Sequence, residues 1–318
     1  MRYTTLGASR LEVSRVCLGT MNFGRHVSTA DAHGILDEAL ALGLTYVDTA
    51  NRYGTAERPH AAEEILGEWF ARGGERRDRT VLATKVFERT APWPNHEGLS
   101  ALNIRRACEA SLRRLQTDRI DIYQMHHIDR AAPWDEIWEA FEVLRAQGKI
   151  LYAGSSNFAG WHLAVAQAAG ASHRWRLITE QSVYSLAVRD VEREVLPAAR
   201  ELGIGLVPWS PLAGGLLADV SAGGRRSDAT FAARADRHRR QLSETRTIAD
   251  DLGVSLAVLA LAWVASQPGV AAPIVGPRTI DQLRELAGVP DVAVPPELLA
   301  RLDAIWPGPG IAPEAYAW

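Results

Sequence analysis

The chain is poor in cysteine, in lysine and in net charge, and it has no long apolar run. Its 318 residues include two cysteines, Cys17 and Cys108, whose spacing makes neither a metal-binding nor a redox motif. A zinc-held or disulfide-dense fold is thereby excluded. Cys108 falls on a helical stripe with Ile104, Leu112 and Leu115, which reads as core packing, and a reducing cytoplasm suits both thiols. The formal charge of −3 leaves no basic face for nucleic acid or for an acidic membrane surface. The longest apolar stretch, 254–265, is shorter than the about 20 residues that span a bilayer, and predicts a buried helix instead. The opening residues, Met1 to Gly7, lack the apolar segment of a signal peptide. Of 35 basic residues only Lys85 and Lys149 are lysines. In a chain that avoids lysine so strongly, each one is a candidate for work that arginine cannot do.

What is present is core. A hydrophobic share of 47% argues against disorder, and the length suits one α/β barrel of about 250 residues plus insertions. Short β-branched or apolar runs at 16–21, 46–49, 80–86, 120–126, 150–156, 177–184, 205–210 and 273–276 alternate with helical patterns at 30–41, 61–71, 102–115, 134–146, 161–168, 191–201, 255–265 and 280–286. Gly43 and Gly203 stand just past helix ends, where a left-handed cap is wanted. Eight strands, each followed by a helix, predict a (β/α)8 TIM barrel filling residues 1–318 as a single α/β domain. Ahead of it, 2–6 and 11–13 flank Gly7, Ala8 and Ser9 and predict a β-hairpin that plugs the barrel floor. The runner-up is an open doubly wound sheet. That fold usually carries a Gly-rich phosphate fingerprint after its first strand, whereas this strand ends in Leu18, Gly19, Thr20 and Met21. The segment 219–242, rich in Gly, Ser and Arg, reads as an irregular lid, with a solvated insertion as its alternative. A second irregular stretch, 88–98, and the tail 307–318 with Tyr316 and Trp318 are candidate substrate walls.

Barrel chemistry gathers at the C-terminal ends of the strands. The second barrel strand ends in Asp48 with Tyr53 five residues on, the third reaches Lys85, and the fourth ends in His126 and His127. Reduction of a carbonyl builds negative charge on oxygen and needs a proton donor there. Tyrosine donates reluctantly at its ordinary pKa of about 10, and a neighbouring ammonium is expected to lower that value. Asp48 would hold Lys85 charged and in place, and His126 would orient the carbonyl and share the proton. Singly, each has a plain structural reading: a loop cap, a wall aromatic, an ion pair, a core histidine. Together at one rim they point to acid catalysis.

On these residues the chain resembles the aldo-keto reductases over essentially its full length. The resemblance rests on Leu18-Gly19-Thr20-Met21, on the run from Val47 through Asp48 to Tyr53-Gly54, on Ala83-Thr84-Lys85, on the run Asp121 to His126, on Gly154-Ser155-Ser156-Asn157-Phe158, on Glu180-Gln181, on the run Trp209 to Gly214, and on Gly276-Pro277-Arg278. It implies that Tyr53 is the proton donor, that Lys85 and Asp48 tune it, and that His126 orients substrate. It implies NADP(H), bound extended without a dinucleotide-binding domain. Thr20, Met21 and Asp48 would line the nicotinamide site, and Ser156, Asn157 and Gln181 would hold the carboxamide. Trp209 would stack on the ring. Ser210, Pro211, Leu212 and Gly214 would meet the pyrophosphate, and Gly276, Arg278, Gln282 and Glu285 the adenosine end, with Arg278 on the 2′-phosphate. Arg225, Arg226 and Arg234 could close over the pyrophosphate. Two positions depart from the family pattern: Leu286 stands where many relatives carry Asn for adenine, and His127 where tryptophan is common.

The branch resembled includes potassium-channel β subunits and bacterial sugar or small-aldehyde reductases. The expected function is therefore NADPH-dependent reduction of an aldehyde or ketone, including a sugar, a nucleotide-linked ketosugar or an enone. The alternative is a cofactor-sensing regulatory subunit with little turnover. A third reading, a lyase with a Schiff base on Lys85, is disfavoured because Asp48 would keep that lysine protonated. Phe23, Phe87, Trp93, His127 and Trp318 predict an aromatic-lined pocket for a small-molecule carbonyl substrate, and the sequence leaves a homo-oligomer open.

Overall fold

The computed structural model describes residues 1–218 and 229–317. Strands β1 (Tyr3–Thr5) and β2 (Glu12–Ser14) form an antiparallel hairpin, Tyr3 opposite Ser14. The barrel then runs β3 (Cys17–Gly19), α1 (Thr29–Ala41), β4 (Tyr46–Asp48), α2 (Ala61–Phe70), β5 (Val81–Val86), α3 (Ala101–Leu115), β6 (Ile120–Met125), α4 (Trp134–Ala146), β7 (Ile150–Ser156), α5 (Gly160–Ser172), β8 (Leu177–Gln181), α6 (Val195–Glu201) and β9 (Gly205–Leu206). After the undescribed residues come α7 (Ala229–Arg237), α8 (Arg239–Asp251), α9 (Leu256–Ser266), β10 (Ile274–Val275), α10 (Ile280–Ala287), α11 (Pro296–Ile305) and α12 (Glu314–Ala317).

The eight strands β3 to β10 are parallel, in the order β10-β3-β4-β5-β6-β7-β8-β9. Three backbone bonds close the ring: Leu206 N to Gly269 O (2.9 Å), Ala271 N to Leu206 O (2.8 Å) and Ile274 N to Pro208 O (2.8 Å). This is the expected (β/α)8 barrel. Helix starts follow the sequence: Ser28, Ser100, Ser255 and Thr279 each accept a backbone N–H through the side-chain oxygen. Gly43 and Gly203 are left-handed, as their places after α1 and α6 require.

Strand alternation sorts the side chains. On β5, Ala83 and Lys85 point into the barrel while Leu82 and Val86 pack outward with the helices. The floor is apolar: Leu6 of the hairpin is fully buried with Val13, Cys17, Tyr46, Ala83, Ile122, Ile178, Val207, Ala271 and Ala272. Ala8 N donates to Gly203 O (2.7 Å), and Ser14 Oγ accepts from Tyr46 N (3.2 Å), tying the hairpin to the base of two strands. The hairpin therefore does seal the floor, and the polar inward residues are left for the opposite end.

Two expectations are corrected. Much of 219–242 is not irregular: residues 229–237 and 239–251 are helical, since Ala229, Ala232, Ala233 and Ala235 favour a helix once the glycines at 223 and 224 are passed. Residues 219–228, with Arg225 and Arg226, and Trp318 lie outside the described residues. The sequence reading has no helix at α11, yet Leu298 and Leu302, one turn apart, are buried behind a proline-led start. The tail ends in the short α12. The apolar stretch 254–265 is the buried α9, and no described helix is long and apolar enough to cross a membrane.

Candidate active site

Asp48 closes β4, and the chain behind it is pinned: Thr49 N donates to Ala83 O (2.9 Å), Tyr53 N to Ala50 O (3.2 Å) and Ala62 N to Tyr53 O (3.0 Å). A side chain at Gly54 would place its Cβ 2.0 Å from Arg58 O, so the turn that presents Tyr53 admits glycine only. Lys85 rises from β5 beside them, and its Nζ donates to three oxygens: Asp48 Oδ2 (2.6 Å), Thr49 O (2.8 Å) and Tyr53 Oη (3.2 Å). The side chains of Lys85 and Asp48 are 1% and 3% exposed, so the pair is desolvated. His126 follows β6, its ring 5.8 Å from that of Tyr53 and edge-on to it. All four expected groups meet at one mouth.

The electrostatics differ from expectation at one point. Burial works against the Lys85 charge, but Asp48 and Tyr53 outweigh it and hold the ammonium above its ordinary range. Burial pushes the Tyr53 phenol above its ordinary value; Lys85 pulls it down and Asp48 up, and the balance is upward, not downward. The ammonium thus limits the rise rather than producing a net fall. Burial, with Lys85 and His127 adding to it, pushes His126 down to about 3, so its imidazole is neutral near pH 7. Its Nδ1 has no hydrogen-bond partner among the described residues.

A second group lines the same rim. Thr20 donates through both N and Oγ1 to Asp48 O, each at 3.0 Å. Ser156 Oγ donates to Gln181 O (2.9 Å). Asn157, held left-handed, donates from Nδ2 to His126 O (3.2 Å) and accepts Trp209 Nε1 at its Oδ1 (3.2 Å). Gln181 Nε2 donates to Asp48 Oδ1 (2.6 Å). Trp209 is fixed through its indole N–H yet 37% exposed, and Met21 is 43% exposed, so a broad apolar surface faces outward next to buried polar groups. Ser210, Pro211, Leu212 and Gly214 form a tight turn in which Gly214 N donates to Ser210 Oγ (3.0 Å), and Arg234 of α7 donates to Ala213 O (3.3 Å). At the start of α10, Arg278 N donates to Gln282 Oε1 (2.8 Å), Gly276 O accepts Asn22 Nδ2 (2.8 Å), and Glu285 is exposed. The Arg278 guanidinium has no carboxylate partner among the described residues.

A model described as the aldo/keto reductase family matches residues 15–307. The chain belongs to that family. This aldo/keto reductase is similar to the oxidoreductase YrpG of Bacillus subtilis (strain 168), 52% identical over 327 residues with 100% of both chains covered. It is also similar to a probable voltage-gated potassium channel subunit beta of Arabidopsis thaliana, 34% identical with 99% of this chain and 100% of the relative covered. A third relative, versiconal hemiacetal acetate reductase of Aspergillus parasiticus, is 30% identical over 97% of this chain and 99% of its own. The aldo/keto reductase is therefore an oxidoreductase of a family that generally uses a nicotinamide cofactor.

Of the expected walls, Phe23 is fully buried in the core, while Phe87 packs against His127 with ring centres 5.5 Å apart. Trp93 is 69% exposed. The sequence reading passed over Gln124, which is fully buried inside the barrel and donates from Nε2 to Asp48 Oδ1 (3.1 Å). Its signal was available: it stands two residues before His126 in the run 120–126 that reads as the fourth strand, hence on the same face. Among the described residues no group of His, Cys, Asp and Glu is placed to hold a metal ion.

Proposed function

We propose that this aldo/keto reductase reduces an aldehyde or ketone with NADPH, Tyr53 giving the proton to oxygen. The observation that carries the reading is the triple engagement of Lys85 Nζ by Asp48, Thr49 O and Tyr53 Oη in a desolvated pocket. When bound, the nicotinamide supplies the hydride that reaches the carbonyl carbon. The residues present fit it: Trp209 offers an exposed ring face beside Asn157, and Ser156, Asn157 and Gln181 cluster as an amide-binding set. Arg278, without an acidic partner among the described residues and at a helix start, suits a 2′-phosphate. Gly276, Gln282 and Glu285 lie about the same turn, and Ser210, Pro211, Leu212 and Gly214 supply close-approaching backbone for the pyrophosphate.

Each protein group then has one task. Neutral His126 offers an N–H to the carbonyl oxygen and fixes its direction. Tyr53 Oη donates its proton as charge develops there, and the Lys85 ammonium stabilises the phenolate left behind. Asp48 keeps Lys85 in line. A charged lysine with three acceptors cannot attack a carbonyl as a free amine, which counts against the Schiff-base reading. A sugar, a nucleotide-linked ketosugar or an enone is the proposed substrate class; with an enone, the same tyrosine serves the enolate.

Fluorescence titration with NADPH and NADH, followed by turnover on a panel of aldehydes and ketosugars, tests the proposal. NADPH binding with turnover supports it, and binding of neither nucleotide ends it. The relative named as a probable channel subunit keeps a second reading in view, a cofactor-sensing subunit; tight binding with no turnover of any carbonyl favours that one. Arg278→Ala is expected to weaken NADPH about 10-fold or more, with NADH little changed, since a charge-assisted pair to phosphate is lost. Equal weakening of both nucleotides removes Arg278 from the 2′-phosphate.

A further inference from the structure

The Asp48 carboxylate is held from two directions. Its Oδ2 accepts Lys85 Nζ at 2.6 Å, while its Oδ1 accepts two amides, Gln181 Nε2 at 2.6 Å and Gln124 Nε2 at 3.1 Å. The two amides are differently placed. Gln181 belongs to the Ser156–Asn157 cluster, where its backbone oxygen accepts Ser156 Oγ and Asn157 N. Gln124 lies within the barrel, fully buried, and reaches Asp48 across the intervening strand β5.

Two features show that Gln124 is not simply filling space. Its register partner on β7 is Gly154, where an added Cβ would come within 2.6 Å of Thr179 Cγ2 and 3.0 Å of Gln124 Cγ. Gly154 is outside the left-handed region, so its missing side chain makes room for Thr179 and Gln124 rather than a turn. And Gln124 Oε1 is buried without a partner among the described residues. A buried, half-satisfied amide is costlier than an apolar side chain of the same size. Among the described residues, the one side-chain hydrogen bond the position gains is the one to Asp48.

We infer that Gln124 is a positioning residue for the acid–base chain. It fixes the Asp48 carboxylate so that Oδ2 stays on Lys85 when the Gln181 amide is drawn toward a bound cofactor. The inference rests on the proposed role of Asp48, Lys85 and Tyr53.

Three variants test it: Gln124→Met, which keeps length and loses the amide; Gln124→Glu, which keeps shape and adds a carboxyl; and Asp48→Asn as reference. Gln124→Met should lower kcat about 10- to 100-fold, as misplaced catalytic groups do, with cofactor affinity and KM little changed. Gln124→Glu should be impaired further above the titration of the new carboxyl, where two like charges face each other. As pH falls, that carboxyl gains a proton, donates to Asp48 Oδ1 again, and turnover should recover relative to the unaltered chain. A packing role moves neither the kcat–KM split nor the pH profile. Gln124→Met with unaltered kcat and pH profile overturns the inference, as does a Gln124→Glu ratio constant with pH. If Gln124→Met does not fold, Gln124→Glu decides alone by that ratio. If Asp48→Asn keeps full turnover, the underlying reading of Asp48 falls and the inference with it. If Asp48→Asn is impaired while the Gln124 variants are not, only the inference fails.

Discussion

His126 shows how burial decides chemistry at the scale of a residue. Desolvation first, then Lys85 and His127, push its imidazole down to about 3, so the folded chain keeps it neutral far below the ordinary value of about 6.5. Read from sequence, His126 shares the proton; in the proposed reduction a neutral ring would donate an N–H and leave proton delivery to Tyr53. The kcat/KM profile should therefore show no acid limb from this histidine between about pH 5 and pH 8. A limb near pH 6.5 that disappears in His126→Asn would contradict the assignment. Asp48, Tyr53, Lys85 and His126 were legible because they stand at adjacent strand ends, and because Lys85 survives in a chain with almost no lysine. The sign of the Tyr53 shift was not legible, since it depends on how far the ring is buried against how near Lys85 lies. Nor was the burial of Phe23, whose position just past a strand fits the mouth as well as the core.

At the scale of an element, β8 and the turn after β7 are joined by Glu180. Its carboxylate is fully buried and accepts Ser182 Oγ (2.7 Å), Ser155 Oγ (2.5 Å) and Phe158 N (3.1 Å), bracing the backbone that carries Ser156 and Asn157. Burial pushes it up to about 7, despite those donors. Between about pH 4.5 and 7 the folded state thus holds a proton that the unfolded chain has lost, and stability from this group falls as pH rises through that window. Glu180→Gln removes the dependence, so its melting temperature relative to the unaltered chain should be higher at pH 8 than at pH 5. A difference constant with pH would show that Glu180 does not titrate there. Strand and helix order were readable from period and from Gly43 and Gly203 past two helix ends, and the structure adds side-chain caps at Ser28, Ser100 and Thr279. Helices α7 and α8 were obscured by the Gly- and Arg-rich run before them. No residue of α7 is buried, so packing against the core does not mark it.

The whole molecule separates stability from chemistry along the barrel axis. The floor is an apolar plug centred on Leu6, and the mouth holds the buried polar groups. Leu6→Ala should cost about 2–5 kcal/mol in urea unfolding, the usual price of emptying a core site, while leaving NADPH affinity unchanged. Lost affinity without lost stability would mean that the two ends are coupled. The central claim, a carbonyl reductase whose acid is Tyr53, is tested most directly by NADPH turnover of Tyr53→Phe at saturating cofactor beside the unaltered chain. Turnover should fall about 10²–10⁴-fold with nucleotide affinity retained, the range a positioned proton donor contributes. Turnover equal to that of the unaltered chain would contradict the account.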